Sequence, residues 1–221
     1  TPWGGNLSTA LELLKRATLY NRTQTPKYSE VTISMANVTE GQIVNIPRGG
    51  VMVPHYVGTL EYESGLNGAG RRLLVPVEAY DERQWASSNV TSYAASSINS
   101  WMNSSYKALF PADIQSAMGT TEIYYTPGLG DVPVSTMQVS IFQLSATELG
   151  FPKDEFFNIE GTALPTANIL RACLYNGQNA DQWTRTIHRG NGQYAYYVYN
   201  GNSILNTSVV QQKYSRPCFT L

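Results

Sequence analysis

The sequence predicts an α+β fold in which strands occur in runs and short helices interrupt them. Three observations lead to this prediction. Apolar and polar residues alternate over residues 30–80, helical spacing appears between residues 96 and 118, and strand-like segments return after residue 121. Strands that occur in runs, without a regular strand–helix–strand alternation, are typical of α+β domains. The 221 residues are enough for one such domain with a smaller N-terminal part.

The composition excludes several classes of protein. Charged residues make up 14% of the chain and hydrophobic residues 42%, and the net charge is −1 at pH 7. Intrinsic disorder needs more charge and fewer apolar residues, so a folded chain is predicted. A nearly neutral chain is not expected to bind nucleic acid. No apolar run approaches the ~18 residues that span a bilayer, so we expect no membrane insertion.

An N-terminal lead-in is predicted over residues 1–65, with a short helix followed by β-rich sequence. Thr9 and Glu12 have the spacing of a capping box, in which each side chain binds a free backbone N–H at a helix start. Leucines then recur on one face, which extends the predicted helix to about Tyr20. Further on, glycines at residues 47–50 predict the turn of a hairpin.

Two helices and six strands are predicted after this lead-in. The first helix covers residues 96–103, where Ile98, Trp101 and Met102 share one face. The second begins at Pro111, because proline is favoured in the first turn of a helix. The predicted strands are residues 72–77, 121–126, 137–144, 183–188, 194–199 and 214–219.

Residues that commonly bind metals or catalyse reactions are sparse. The two histidines lie in different contexts, and Cys173 and Cys218 lack the spacing of a metal or redox motif. The two cysteines are compatible with one disulfide bridge or with buried thiols. No nucleotide-binding or nucleophile motif occurs, so neither a metal nor a cofactor is expected.

Carboxylates provide the remaining enzymatic hypothesis. A carbohydrate-active enzyme would need two carboxyl groups facing each other in a cleft. Four acidic residues cluster in one loop-rich segment: Glu148, Asp154, Glu155 and Glu160. Because loop carboxylates mostly serve as solvated or capping groups, we expect no enzymatic activity.

The last fifty residues or so have a composition of their own. From Leu174 onward there are six Tyr, six Asn and five Gln, and Asp181 is the only acid. Tyrosine offers a large amphipathic contact area at low entropic cost, and Asn, Ser and Gly offer adaptable hydrogen bonding. This composition is typical of a binding surface for protein or carbohydrate. The alternative is a tyrosine-rich sheet face against the core, which we predict for Tyr197 and Val198.

Five short motifs follow one another in a recognisable order. They are GRRLLVPV at residues 70–77, SINSWMN at 97–103, IFQLSATE at 141–148, WTR at 183–185 and RPCFTL at 216–221. Over about residues 68–221 the chain thereby resembles a domain family of uncharacterised function that is common in gut bacteria and their phages. That family in turn resembles the C-type-lectin fold of variable proteins in diversity-generating retroelements.

The resemblance implies a C-type-lectin-like domain over residues 66–221, with mixed antiparallel sheets and two short helices. It also implies a variable segment, residues 173–215, whose adenine-containing codons an error-prone reverse transcriptase rewrites. The implied ligand-binding positions are Tyr175, Asn176, Asn179, Asp181, His188, Asn191, Tyr194 and Tyr196. Such rewriting of Asn codons cannot produce Gln or Trp. The resemblance therefore implies a fixed frame of residues that do not vary, which includes Gln178, Gln182, Trp183 and Gln193.

Two details of the motifs refine these expectations. The motifs of calcium-dependent lectins are absent, so sugar binding through calcium is not implied. Arg185 and Arg216 stand between apolar neighbours, and we predict structural roles for both, with buried stems and hydrogen-bonded heads.

Together these observations predict a non-enzymatic ligand-binding or display protein, such as a phage receptor-binding protein or a bacterial surface adhesin. It would act on the phage tail or the bacterial cell surface and recognise a protein or glycan on a cell, with homo-oligomerisation left open. The alternatives are a structural phage or cell-surface domain without a variable ligand, and a carbohydrate-active enzyme. One shared solvent face for the implied positions would favour the binding hypothesis, and scattered or buried positions would favour the structural one.

Overall fold

The computed structural model of the protein describes residues 37–221. The helix predicted to end near Tyr20 and the first part of the β-rich stretch lie outside the described residues. Over the described part the fold is mixed, with mostly antiparallel sheets and few helices, and the α+β prediction is confirmed.

Strands and short helices alternate irregularly along the chain. The first half contains β1 (Ile43–Arg48), β2 (Val51–Thr59), α1 (Ser64–Asn67), β3 (Leu73–Pro76), β4 (Asp81–Gln84), α2 (Ser97–Trp101), α3 (Ala112–Met118), β5 (Thr121–Tyr125) and β6 (Ser135–Val139). The second half contains α4 (Ala167–Arg171), β7 (Leu174–Tyr175), β8 (Gln178–Asn179), β9 (Gln182–Ile187), β10 (Tyr194–Tyr199), β11 (Ser203–Ser208), β12 (Gln212–Ser215) and β13 (Phe219–Thr220).

Two larger sheets organise these strands. One has the order β1-β2-β3-β13, and the other has the order β11-β10-β9-β12-β4. All their pairings are antiparallel except that between β9 and β12. The pairing of β2 with β3 places strands of the predicted lead-in in the same sheet as the C-terminal strand. β5 pairs with β6, and β7 with β8, in two-stranded ribbons.

Strand β9 lies at the centre of the molecule, because all six of its residues are buried. Trp183 is 2% exposed, and its indole Nε1–H donates to the Arg83 carbonyl at 2.8 Å. Trp85 packs nearby and donates in the same way to the Thr184 carbonyl. Buried indoles with satisfied N–H groups supply large apolar area to this core, as expected for Trp183.

The helical predictions hold, with a difference in length. In α2 the Ser96 hydroxyl accepts from the Asn99 N–H at 3.2 Å, an N-cap that explains the helix start. Ile98 and Met102 are buried as predicted and Trp101 is half-buried, while the helical path continues to Leu109 through a π turn and a 3₁₀ turn.

The predicted strands at residues 137–144 and 214–219 have the wrong bounds. β6 ends at Val139 because the Asn103 Oδ1 accepts from the N–H groups of Ser140 and Ile141, which diverts the backbone from strand pairing. In the last segment Pro217 has no N–H to donate, and the chain leaves one sheet after β12 to enter the other at β13.

Candidate functional site

The eight implied ligand-binding residues form two groups at opposite ends of β9. Asp181 directly precedes this strand and His188 directly follows it. A strand advances by about 3.3 Å per residue, so these two residues are about 23 Å apart. Tyr175, Asn176 and Asn179 lie near Asp181, whereas Asn191, Tyr194 and Tyr196 lie with His188. The structure therefore does not bring the eight onto one surface.

Four chain segments meet at the His188 end. The turn between β9 and β10 contacts three other parts of the chain: the loop after β4, the loop after β5 and the segment after β6. We call the surface formed by residues 87–91, 128–132, 154–159 and 188–194 the loop surface. Of these segments, only 188–194 belongs to the tyrosine- and asparagine-rich part of the sequence.

Backbone hydrogen bonds hold the three loops against this turn. Gly130 N–H donates to the Arg189 carbonyl at 2.6 Å, and Arg189 N–H donates to the Phe156 carbonyl at 2.8 Å. Val90 N–H donates to the Gly192 carbonyl at 3.2 Å. Because these bonds involve main-chain atoms, most side chains on the loop surface can change without loss of the bonds, with Gly192 as an exception.

Aromatic rings occupy the centre of the loop surface. The half-buried His188 ring stacks on Phe156, with ring centroids 4.9 Å apart and an interplanar angle of 21°. The Tyr196 ring is nearly parallel to the His188 ring, with ring centroids 6.2 Å apart. Tyr196 is only 2% exposed, so it supports His188 and does not stand in solvent, whereas Phe156 (43%) and Tyr194 (37%) are exposed. Burial raises the pKa of Tyr196 to about 12, which keeps its phenol neutral.

A shallow groove of about 250 Å³ runs beside these rings. Its lining combines amides with apolar groups: Asn89, Val90, Thr91, Leu129, Asn191, Gly192 and Gln193. At Gly192 a Cβ atom would lie 2.2 Å from the Val90 carbonyl oxygen, so only glycine permits this approach of turn and loop. Asn191 Oδ1 accepts from the Gln193 N–H at 2.9 Å, which orients the amide at the groove edge.

The group at the other end of β9 lies mainly on the β7–β8 hairpin. Asn176 and Gly177 have φ angles of 51° and 75°, the left-handed pair of a tight hairpin turn. Tyr175 packs on the Tyr214 ring at 4.7 Å, while Asn176 and Asn179 are exposed. We call residues 175–181 the hairpin surface.

Asp181 has a structural task at that end of the sheet. One of its carboxylate oxygens lies 3.0 Å from the Lys213 ammonium, and the other accepts from the Asn200 N–H at 3.2 Å. It thereby ties β12 to the turn between β10 and β11. The contacts of Asp181 therefore give it a structural role whether or not it meets a ligand.

The carboxylates considered for catalysis are divided between core and loop. Glu148 and Glu160 are fully buried, whereas Asp154 and Glu155 lie on the segment of the loop surface around Phe156. The Asp154 Oδ1 accepts from the Phe156 N–H at 2.6 Å, so this carboxylate serves as a turn cap.

Glu148 faces Arg185 in a two-point ion pair, with N–O distances of 2.6 and 2.7 Å. Tyr62 Oη donates to the same carboxylate at 2.6 Å, and Ser145 N–H donates to it at 2.9 Å. Glu148 N–H in turn donates to the Ser145 Oγ, which completes a capping box. Burial opposes the charge of Arg185, yet the facing Glu148 carboxylate holds its pKa above the usual value.

Glu160 lies in the same buried network but is paired with hydroxyls. Its carboxylate accepts from the backbone N–H and the hydroxyl of Thr126, at 2.8 and 2.7 Å, and from the Thr186 hydroxyl at 2.7 Å. Burial raises the pKa of Glu160 despite these bonds and the nearby Arg185 charge.

The structural roles predicted for Arg185 and Arg216 are confirmed. Arg216 is 3% exposed, and its guanidinium donates to the carbonyls of Pro76, Leu170 and Ala172 at 2.6 to 3.0 Å. Gln182 donates its side-chain amide to the Leu170 carbonyl, whereas Gln178 and Gln193 are exposed.

Cys173 and Cys218 are both free and buried, so no bridge joins them. Burial raises the pKa of each thiol, which keeps both protonated. Over residues 37–221 no three His, Cys, Asp or Glu side chains are grouped to hold a metal ion. Within the same residues no helix has the length and apolar character needed to cross a membrane.

The geometry thus defines a mixed α/β domain with a rigid buried frame and a polar–aromatic loop surface at one end. Residues 69–221 match the family model DUF6273, which is described as a domain of unknown function. Because this match covers more than half of the chain, the protein belongs to the DUF6273 family. No curated protein and no solved structure matches the chain.

The loop surface includes residues that sequence reasoning missed. Phe156, Leu129 and Asn89 come from three loops upstream of the C-terminal segment and meet only in the fold. Leu129 and Asn89 occur in stretches of ordinary composition, so no composition bias marks them. For Phe156 the one available signal was its place beside Phe157 and two acidic residues in a loop-rich segment.

Proposed function

We propose that this protein is a non-enzymatic ligand-binding protein that recognises a protein or glycan on a cell surface through the loop surface. One observation carries this proposal: four chain segments place exposed rings and amides around an open groove on a rigid sheet. Sites of this kind, with mobile specificity residues on a fixed scaffold, are common in binding proteins.

The exposed rings and amides of the loop surface suit direct contact with a ligand. The exposed rings of Phe156 and Tyr194 offer faces for sugar rings or apolar side chains. Amides of Asn89, Asn191 and Gln193 border the groove and offer both donors and acceptors. Binding of this kind needs neither a metal nor a cofactor.

The proposal includes a C-type-lectin-like fold and display on a phage tail or a bacterial cell surface. Support for the fold comes from the order of the five motifs, the mixed antiparallel sheets and the loops gathered at one end. The motif residues Glu148, Arg185 and Arg216 are buried, which is what a fixed frame under variable loops requires. A structural domain without a variable ligand is the second candidate, favoured by the division of the eight positions into two groups.

Binding measurements on four variants test the proposal. The full chain is applied to a glycan panel and to labelled bacterial cells, with the variants Tyr194→Ala and Phe156→Ala beside it. We expect each variant to weaken binding at least about ten-fold, because exposed aromatic anchors often contribute more than ~1.4 kcal/mol to a binding site.

Tyr199→Ala and Asn176→Ala serve as matched controls. Tyr199 is 43% exposed on β10 but at the opposite end of that strand, and Asn176 lies on the hairpin surface. We expect unchanged binding for both. If the controls abolish binding and Tyr194→Ala does not, recognition belongs to the hairpin surface. If the wild-type chain binds nothing, the structural hypothesis replaces this one.

The proposed diversification has a test that needs no ligand. Deep sequencing of the gene from one clonal population should show substitutions at adenines in the codons of His188, Asn191 and Tyr194. The codons of Gln182 and Trp183 should stay unchanged. Substitutions confined to residues 175–181 would move the recognition site to the hairpin surface, and a flat profile would contradict diversification.

A further inference from the structure

The outer strands of the two larger sheets differ in how they resist pairing with another chain. An outer strand exposes unpaired backbone N–H and C=O groups, and proteins usually block such edges with charge, proline or burial. β4 carries Asp81, Glu82 and Arg83, and β1 contains Pro47 and ends at Arg48. The residues of β13 are buried.

β11 has none of these protections. It is the outermost strand of the five-stranded sheet, and in residues 37–221 only β10 pairs with it. No charged residue and no proline occurs from residue 190 to residue 212. Leu205, in the middle of the strand, is 43% exposed. The edge is therefore uncharged, regular over six residues and partly apolar.

We propose that β11 is a homodimer interface, in which it pairs antiparallel with β11 of a second copy about a two-fold axis. The pairing satisfies the free backbone groups of both edges and joins two five-stranded sheets into one of ten strands. A second copy fits this edge because a two-fold axis brings each strand against itself, where like charges would repel and this strand has none. A register centred on Leu205 places the two leucine side chains next to each other.

The dimer has a consequence for the arrangement of the two loop surfaces. Tyr194 pairs with Ser208, so the loop surface lies at the Ser208 end of β11. Antiparallel strands place these ends on opposite sides of the dimer. Each dimer would then present its two loop surfaces in opposite directions, which suits bridging two separate targets.

The oligomeric state of the full chain tests this interface. Wild-type protein is measured by sedimentation equilibrium over a range of concentrations beside Leu205→Lys and Val51→Lys. Val51 is also 43% exposed on a strand, but β2 has partners within its sheet. We expect wild type and Val51→Lys to dimerise, and Leu205→Lys to be monomeric because two ammonium groups face each other across the axis.

A charge pair distinguishes a broken interface from a misfolded variant. Leu205→Glu alone should also be monomeric, and an equimolar mixture of Leu205→Lys and Leu205→Glu should form heterodimers. A monomeric wild-type chain would overturn the proposal. So would a Leu205→Lys variant that still dimerises, or a mixture of the two charged variants that stays monomeric.

Discussion

At the residue scale, Arg185 is held by a complete set of partners. Its five N–H donors reach the Glu148 carboxylate twice and the carbonyls of Tyr124, Gln143 and Glu160. A fully buried charge is tolerated only with such pairing, since desolvation costs several kcal/mol per ion. The motif residues Glu148 and Arg185 therefore act as one unit that joins the 145–160 segment to β9.

Separate substitution of the two buried glutamates should distinguish the loss of a buried ion pair from the loss of a buried carboxylate that is bonded to hydroxyls. Glu148→Gln leaves the guanidinium of Arg185 buried without its countercharge, and we expect a loss of about 3–5 kcal/mol in the free energy of unfolding. Glu160→Gln keeps an acceptor for Thr126 and removes a carboxylate that burial disfavours, so we expect a loss of at most about 1 kcal/mol. Urea denaturation of both variants at pH 7 measures the difference.

The pH dependence gives this comparison a second readout. Because burial raises the pKa of Glu160 above its ordinary value of 4.5, the folded chain holds a proton there that the unfolded chain has lost. That part of the stability is present below pH 4.5 and is lost as pH rises through the higher folded pKa. Glu160→Gln should remove this slope. Equal losses in the two variants at pH 7 would contradict the assignment.

At the scale of elements, the turn between β9 and β10 organises the loop surface. It is short and glycine-rich, which lets its backbone come close to three other loops. The contact with Val90 leaves no room for a side chain, because a Cβ at Gly192 would lie 2.2 Å from the Val90 carbonyl oxygen. The shape of the groove therefore depends on one glycine.

Gly192→Ala should displace the loop at residues 87–91 from the turn. A Cβ 2.2 Å from the Val90 oxygen forces a main-chain shift, and we expect a loss of about 1–3 kcal/mol in the free energy of unfolding, together with weaker ligand binding. Urea denaturation and the glycan and cell panels measure both effects.

Gly128→Ala is the matched control at the same end of the molecule. There a Cβ would meet the Val132 side chain at an ordinary 3.9 Å, so we expect a free energy of unfolding close to that of the wild type. A Gly192→Ala variant that behaves like this control would show that the loop and the turn are not in close contact.

At the scale of the whole molecule, the surfaces proposed for binding lie at the two ends and at one edge of the five-stranded sheet. The loop surface lies at the His188 end of β9, and the hairpin surface lies at the Asp181 end. The outer edge of β11 is unpaired within the described residues. The buried network and the Arg216 cluster lie between them. This separation allows side chains at the ends to change while the frame keeps its packing.

Local sequence patterns predicted those elements whose formation depends on residues close together in the chain. The alternation in β2, the apolar runs of β3 and β10, the apolar face of α2 and the proline-led helix α3 were all accessible, because such patterns act over a few residues. The strands β4, β7, β8 and β11 and the helices α1 and α4 were missed. β4 is charged and lacks an apolar alternation, and β11 is a half-exposed strand without a strong period.

The candidate site was accessible only in part. The resemblance implied His188, Asn191 and Tyr194 together with residues at the opposite end of β9, because a sequence segment does not show the ~23 Å that separate the ends of a strand. It also selected Tyr196, whose buried position depends on Phe157 and His188 packing around it.

Local sequence was enough to predict the α+β class, the positions of most strands, the helices α2 and α3, and the structural roles of Arg185 and Arg216. These follow from short-range periodicity and from polar heads set among apolar neighbours. Three features became visible only in the folded chain: the loops that meet at residues 188–194, the pairing of Glu148 with Arg185, and the outer position of β11. Those contacts join residues far apart in the chain, and chain folding alone determines which of them become neighbours.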